Sequence, residues 1–196
     1  MPRDGTDIPD GPCISAGGGP GALARLFERA APATARLRLS PLEPSDAAEI
    51  ELLTSDPAIT AAVSFLPYPF SRADAAGLIA RNGGDRECFL GVRRRADAAL
   101  VGVAGAHLAG EAEVEIGYWI GVPFQNKGYA TEAVTLLVAT LDRWIPDRRP
   151  FAECRPDNAA SWAVLAKLGF RATGEPGARP ERVRLSRPGR ATSPVG

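Results

Sequence analysis

The order of hydrophobic periodicities predicts a single α/β domain built on a mixed (α+β) sheet. Three observations carry this. Period-two runs of strand type are interleaved with longer runs of helical period. Three strand runs follow one another closely: Glu87 to Arg93, Ala99 to Leu108 and Glu113 to Ile120. The gap at Ala109-Gly110-Glu111-Ala112 is short enough for a hairpin. After them the order becomes helix, strand, helix, strand. The chain has 196 residues, 45% hydrophobic and 23% charged, which suits one domain with a substantial core.

Residues 1–32 hold six glycines and five prolines around Gly17-Gly18-Gly19-Pro20-Gly21. That composition favours a disordered or loosely attached tail over residues 1–34. Within it, Leu23, Leu26 and Phe27 fall at helical spacing, so a short docking helix over Ala22 to Ala31 is the other reading. The folded domain is expected over 35–186, and 187–196 as a flexible tail. Leu37, Leu39 and Leu42 alternate with Arg36, Arg38 and Ser40 as in a half-buried strand. Ser45 is placed to cap a helix to about Leu53, and Asp56-Pro57 to start a second. Phe65-Leu66-Pro67-Tyr68-Pro69-Phe70 is too rich in proline for regular structure. It reads as an aromatic loop, either lining a cleft through Phe65 and Tyr68 or simply packed on the core. Ser71 with Asp74 has capping-box form and opens a helix to about Arg81.

The three strands follow, with Arg93-Arg94-Arg95 read as a solvated turn. A long amphipathic run covers Thr131 to Ile145, and Pro150 to Cys154 is a buried strand. Asp157-Asn158 caps a helix through Leu168, stopped at Gly169. Phe170 to Thr173 begins another strand, and Arg182 to Leu185 is a short last one. From Gly174 onward four prolines and four glycines point mostly to loop.

Composition narrows the chemistry. Formal net charge is +0, so there is no global pull toward nucleic acid or a membrane. The cysteines, Cys13, Cys88 and Cys154, are far apart and odd in number, which argues against a zinc site or disulfide framework. One histidine, His107, argues against a histidine-rich metal site. No apolar run approaches the roughly 18 residues of a membrane span, and the N-terminus does not read as a secretory signal. A cytoplasmic location and no metal are the expectations.

The stretch Gln125-Asn126-Lys127-Gly128-Tyr129-Ala130 joins the strand ending at Ile120 to the long helix. A helix start carries unpaired N–H groups and about half a positive charge. It suits an oxyanion, and a glycine lets the backbone come close. Lys127 and Gln125 add charge or donors at the rim. Neither Gly-x-x-x-x-Gly-Lys-Ser/Thr nor Gly-x-Gly-x-x-Gly is present, so the two common nucleotide-binding patterns do not apply. Alone, the turn is weak.

Several further stretches follow in order. They are Glu115-Ile116-Gly117-Tyr118-Trp119-Ile120, the turn itself, Thr131-Glu132-Ala133, Asn158-x-x-Ser161 and Leu165-x-Lys167-Leu168-Gly169-Phe170. Together they resemble the GCN5-related N-acetyltransferase (GNAT) superfamily, most closely its RimJ/RimL-type ribosomal-protein N-acetyltransferase branch, from about Ala35 to Gly174. The resemblance implies a mostly antiparallel central sheet, flanked by helices, that splays open between the strand ending at Ile120 and the strand near Phe151. Acetyl-CoA would lie in that opening as co-substrate. Its pantetheine would pair with backbone near Trp119, Ile120 and Val122. Its pyrophosphate would sit on the amides from Asn126 to Thr131, and Asn158 would contact the pantetheine side or brace the cleft.

Acetyl transfer to an amine requires loss of a proton from the acceptor. Glu115 is the first candidate for that base and Glu113 the second; both share one strand face if the pleat alternates. A solvent-facing strand edge is the bland alternative. A backbone N–H near Ile120 can meet the oxyanion. Ser161 stands at the position where many members carry a tyrosine that protonates the thiolate; an ordinary helix-surface serine is equally open. No acyl-enzyme is implied. His107, at a strand end, is a candidate for acceptor binding or proton transfer, or is structural. Trp144 and Trp162 fall at helix-core spacing. The expected activity is direct acetyl transfer to a protein N-terminal amine or a small amine, by a monomer or homodimer. The alternative is a catalytically silent acyl-CoA-binding module. An aminoglycoside-type acceptor is disfavoured, because the Phe65–Phe70 loop carries no acid. The segment from Arg171 carries six arginines against two glutamates and reads as a solvated tail rather than an RNA contact.

Overall fold

The computed structural model describes residues 21–63, 66–84 and 86–187. Residues 1–20 and 188–196 of the expected tails lie outside the described residues, as does Phe65. The elements are α1 (Ala22–Ala30), β1 (Leu37–Pro41), α2 (Ala47–Thr54), α3 (Pro57–Ala62), α4 (Arg72–Ala80), β2 (Glu87–Arg94), β3 (Leu100–Ala109) and β4 (Glu113–Ile120). They continue with α5 (Tyr129–Trp144), β5 (Arg149–Cys154), α6 (Ala159–Lys167), β6 (Arg171–Pro176) and β7 (Val183–Ser186).

The seven strands form one sheet in the order β1-β2-β3-β4-β5-β7-β6. Every neighbour pair is antiparallel except β4 with β5. That exception follows from the connection, because parallel strands need a long crossover and α5 supplies it. Helices cover both faces. Val114, Ile116 and Ile120 of β4 join a core cluster with α1, α5 and α6, including Leu136, Leu137 and Leu141. Trp119 faces the other way, into a cluster with Ile50, Ile59, Leu78 and Ile79 from α2, α3 and α4. The period-two pleat of one strand thus feeds two cores.

Three local expectations need correction. The segment over 22–30 is a packed helix, not a loose attachment: Leu23, Leu26, Phe27 and Ala30 are buried in the first core. Glycine and proline counts over the whole segment hid one apolar helical stripe. The helix near Ser45 is not capped by that residue. Glu43 and Asp46 form a capping box around a short 3-10 turn at Pro44, and α2 continues from it. Among the described residues after Gly174 the structure is more regular than the glycine and proline count implied: β6 runs on to Pro176, and the expected short last strand forms as β7. β7 inserts between β5 and β6, anchored by the buried Leu185, while β6 is the exposed sheet edge that tolerates Pro176.

Candidate active site

The pairing of β4 with β5 covers Glu113↔Arg149, Val114↔Pro150 and Glu115↔Phe151 and then stops. β4 continues against β3 as far as Ile120. Beyond Glu115, β5 keeps β7 as its partner instead. A gap therefore opens in the middle of the sheet, and a cavity of about 840 Å³ runs through it. Gly121 donates its N–H to Val101 O at 3.0 Å, which sets the phase of the β3–β4 ladder. In such a ladder alternate residues turn their polar groups to the opposite edge. Ile120 is one of these. Its carbonyl accepts from Gln125 Nε2 at 2.9 Å, and its N–H faces the gap on the same side. An extended chain lying in the gap would meet that N–H as a strand meets its neighbour.

One end of the gap is the start of α5. Gly128 sits at its N-cap with φ 80° and ψ 1°, and no side chain caps it. Only a residue without Cβ adopts this left-handed geometry cheaply. A Cβ there would also come within 3.4 Å of Arg36 Nη2. Arg36 braces the turn: it donates to Lys127 O at 3.1 Å and to Glu132 Oε2 at 2.7 Å. Its guanidinium lies over the Tyr129 ring, 5.1 Å from the centroid. The free amides of a sixteen-residue helix thus open into the cavity, with the Arg36–Glu132 ion pair bracing the turn beside them. The arrangement is suited to a phosphate group.

The two faces of β4 bring different groups to the gap. On the α5/α6 face, Tyr118 places its hydroxyl 2.9 Å from Ser161 Oγ. Burial pushes the Tyr118 phenol up to about 12, against the opposing effect of its bond to Ser161. Asn158 caps α6 by accepting the Ser161 N–H at 3.0 Å, so it braces the position of that serine. On the other face stand Glu115, Gly117 and His107, which pairs with Glu115 across β3–β4. Glu115 is ion-paired with Arg179, which also binds Glu153 at 3.1 Å. Glu115 therefore meets the cavity as half of an ion pair, not as a lone carboxylate. Burial lowers the His107 imidazole below its ordinary value, although Glu87, 3.3 Å away, pulls the other way. A Cβ at Gly117 would touch nothing within 4 Å, so the floor here is open.

Glu115, His107, Trp119, Ile120, Gln125, Asn126, Gly128, Tyr129, Ala130, Thr131, Asn158 and Ser161 all border one cavity. Val122 and Lys127 do not. Val122 is exposed on a short 3-10 turn, and Lys127 folds back to donate to Pro123 O at 2.9 Å. Glu113 pairs with Arg184 at 2.6 Å, outside the cavity lining. Tyr68 is 62% exposed and away from the cavity; Leu66 and Phe70 of the same loop are buried in the second core. Of the tryptophans left to packing, Trp144 is buried and Trp162 donates to Arg155 O at 2.9 Å. Residue-by-residue reading missed Arg36, Tyr118, Arg179 and Arg182. Strand parity would have found Tyr118, two residues from both Ile116 and Ile120 on their face. Nothing local marks the arginines, which reach the site by folding. Among the described residues no group of three or more histidine, cysteine, aspartate or glutamate side chains is placed to hold a metal ion, and no helix is long and apolar enough to cross a membrane.

A mixed sheet parted between a parallel strand pair, with an uncapped helix start beside the parting, is the arrangement that the resemblance in sequence implied. Residues 36–171 match the family described as acetyltransferase (GNAT) domain, and the chain belongs to that family. It is 30% identical over 143 residues to the uncharacterized N-acetyltransferase YnaD of Bacillus subtilis, covering 72% of this chain and 82% of that one. A GNAT-family acetyltransferase from Bacillus anthracis superposes with a TM-score of 0.68 at 25% identity, over 77% of this chain and 93% of that one. Mycobacterium smegmatis RimJ, solved in complex with CoA-disulfide, superposes with a TM-score of 0.65 at 22% identity, over 76% and 80% of the two chains. At that identity the likeness is one of fold.

Proposed function

We infer that this domain is an acetyl-CoA-dependent N-acetyltransferase that passes the acetyl group directly to an amine. The observation that carries the reading is the gap between β4 and β5 with the Ile120 backbone turned into it. Acetyl-CoA would lie there with its pantetheine beside Trp119 and Ile120 and its pyrophosphate at the Gly128–Thr131 amides. The acceptor nitrogen attacks the thioester carbonyl carbon, the C–N bond forms and the carbonyl oxygen becomes an oxyanion. The Ile120 N–H stabilises it. The C–S bond then breaks and the thiolate takes a proton from the Tyr118–Ser161 pair, whose hydroxyls stand 2.9 Å apart. The acceptor's surplus proton leaves toward the Glu115–His107 side through water. Both described cysteines, Cys88 and Cys154, are buried free thiols, which supports a cytoplasmic setting. Protein N-termini and small amines are both chemically open to such a site.

The Glu115–Arg179 ion pair favours one rival reading, a domain that binds acyl-CoA without turning it over. Release of free thiol from acetyl-CoA, with and without a panel of amines and peptides, separates the two. Amine-dependent release supports transfer. Saturable acetyl-CoA binding with no release on any amine supports the silent module.

A further inference from the structure

The acceptor end of the cavity holds two arginines with unlike surroundings. Arg179 is bound between the carboxylates of Glu115 and Glu153. Arg182 is half-buried and also borders the cavity, yet its donors meet only carbonyl oxygens, Glu153 O at 3.2 Å and Ala62 O at 3.2 Å. Among the described residues no carboxylate pairs with it. Arg184 beside it has Glu113 at 2.6 Å. A guanidinium held by neutral oxygens keeps an uncompensated charge, and its planar fork matches a carboxylate in two parallel bonds. Arg182's charge is felt nearby: Arg179 is held below the usual guanidinium range, by burial first and by Arg182 second.

Around Arg182, the carboxylates of Glu115 and Glu153 share Arg179, Arg155 of the same lining pairs with Asp157, and burial favours neutral His107, so one carboxylate's worth of negative charge and the Arg182 cation stand side by side. Such a balance answers a zwitterion. A polycation would leave both arginines opposed, and a neutral amine would leave Arg182 without an anion. The two bonds of Arg182 also tie the end of α3 to β5 at the edge of the cavity, and the wall beside them is Ala58, Ile59 and Ala62 of α3.

We propose that Arg182 seats the carboxylate of a small amino-acid acceptor whose amino group is presented on the Glu115 side of the thioester. This rests on the N-acetyltransferase reading above. Arg182 is a binding residue in it; the bonds that form and break are those already given.

The test compares free amino acids with their own amides and with alanine tripeptide, following thiol release from acetyl-CoA, while acetyl-CoA affinity is measured separately by calorimetry. The expected result is a preference for acid over amide of roughly tenfold to a hundredfold in kcat/KM, the worth of hydrogen bonds to a charged group. In Arg182→Gln that ratio falls to near one, with acetyl-CoA affinity retained; Arg182→Lys keeps part of it. If Arg182→Gln fails to fold, the wild-type acid-to-amide ratio still decides. Amides or the tripeptide acetylated as well as free acids would overturn the carboxylate proposal and leave the transferase reading standing. Acetyl-CoA binding with no amine acetylated would overturn both.

Discussion

Tyr118 and Ser161 come from a strand and a helix 43 positions apart in sequence, and their hydroxyls meet at 2.9 Å beside the gap. A phenol pushed up to about 12 by burial stays protonated near neutral pH, so its O–H is available to hydrogen-bond and protonate the departing thiolate, with Ser161 and water sharing the proton because a thiolate is the weaker base. Tyr118→Phe is expected to lower kcat by roughly a hundredfold, within the range of general acid catalysis, with little change in acetyl-CoA binding. Equal losses of binding and kcat would assign Tyr118 to packing instead. His107 makes a pH-dependent contribution to stability. Burial lowers its folded pKa below the ordinary 6.5, so on acidification the unfolded chain binds a proton first. The stabilisation is full above about 6.5 and is lost as pH falls through the folded value. Thermal melting between about pH 7 and about pH 5 should show this slope, and His107→Gln should flatten it. An unchanged slope in the variant would put the titration elsewhere. Ser161 was legible only through the family resemblance and Tyr118 lay within reach of strand parity, whereas Arg182 was not legible, because nothing in its sequence neighbourhood says what lies across from it until the fold closes.

At the scale of elements, the start of α5 and the docking of α1 make the clearest demands. Gly128 adopts φ 80° where a Cβ would also meet Arg36. Gly128→Ala is expected to cost about 1–2 kcal/mol of stability from the left-handed backbone and to weaken acetyl-CoA binding. Denaturant titration and calorimetry on the same variant check both. Unchanged acetyl-CoA affinity would detach the helix start from the cofactor. Phe27 of α1 has 0% exposure, and Phe27→Ala should lower unfolding free energy by roughly 3–5 kcal/mol. A midpoint close to wild type would mean that α1 is dispensable. The strand Glu113–Ile120 was readable from partial alternation, and Glu87–Arg94 from a short apolar run bounded by charged residues, since it is buried on both faces. α1 was obscured by the composition of its flanks, while β7 was legible as a short strand but its place in the sheet was not. β7 is held by pairing with β5, a contact no local window contains.

For the whole molecule, the decisive feature is a sheet that parts where two parallel strands diverge after three residue pairs. The order of elements was legible in the sequence, and the parting followed from a resemblance rather than from any residue. A ligand that binds the folded state raises its stability by mass action. Acetyl-CoA at a hundredfold excess over its Kd should add about 2.7 kcal/mol and raise the melting temperature by ~5–10 °C. The same test with CoA separates recognition of the acetyl group from recognition of the nucleotide. Amide hydrogen exchange with and without acetyl-CoA tests the central claim most directly. Slowed exchange at Ile120 and across Asn126 to Thr131, the two stretches that flank the gap, is the predicted result. Exchange at those amides unchanged under saturating acetyl-CoA would contradict it.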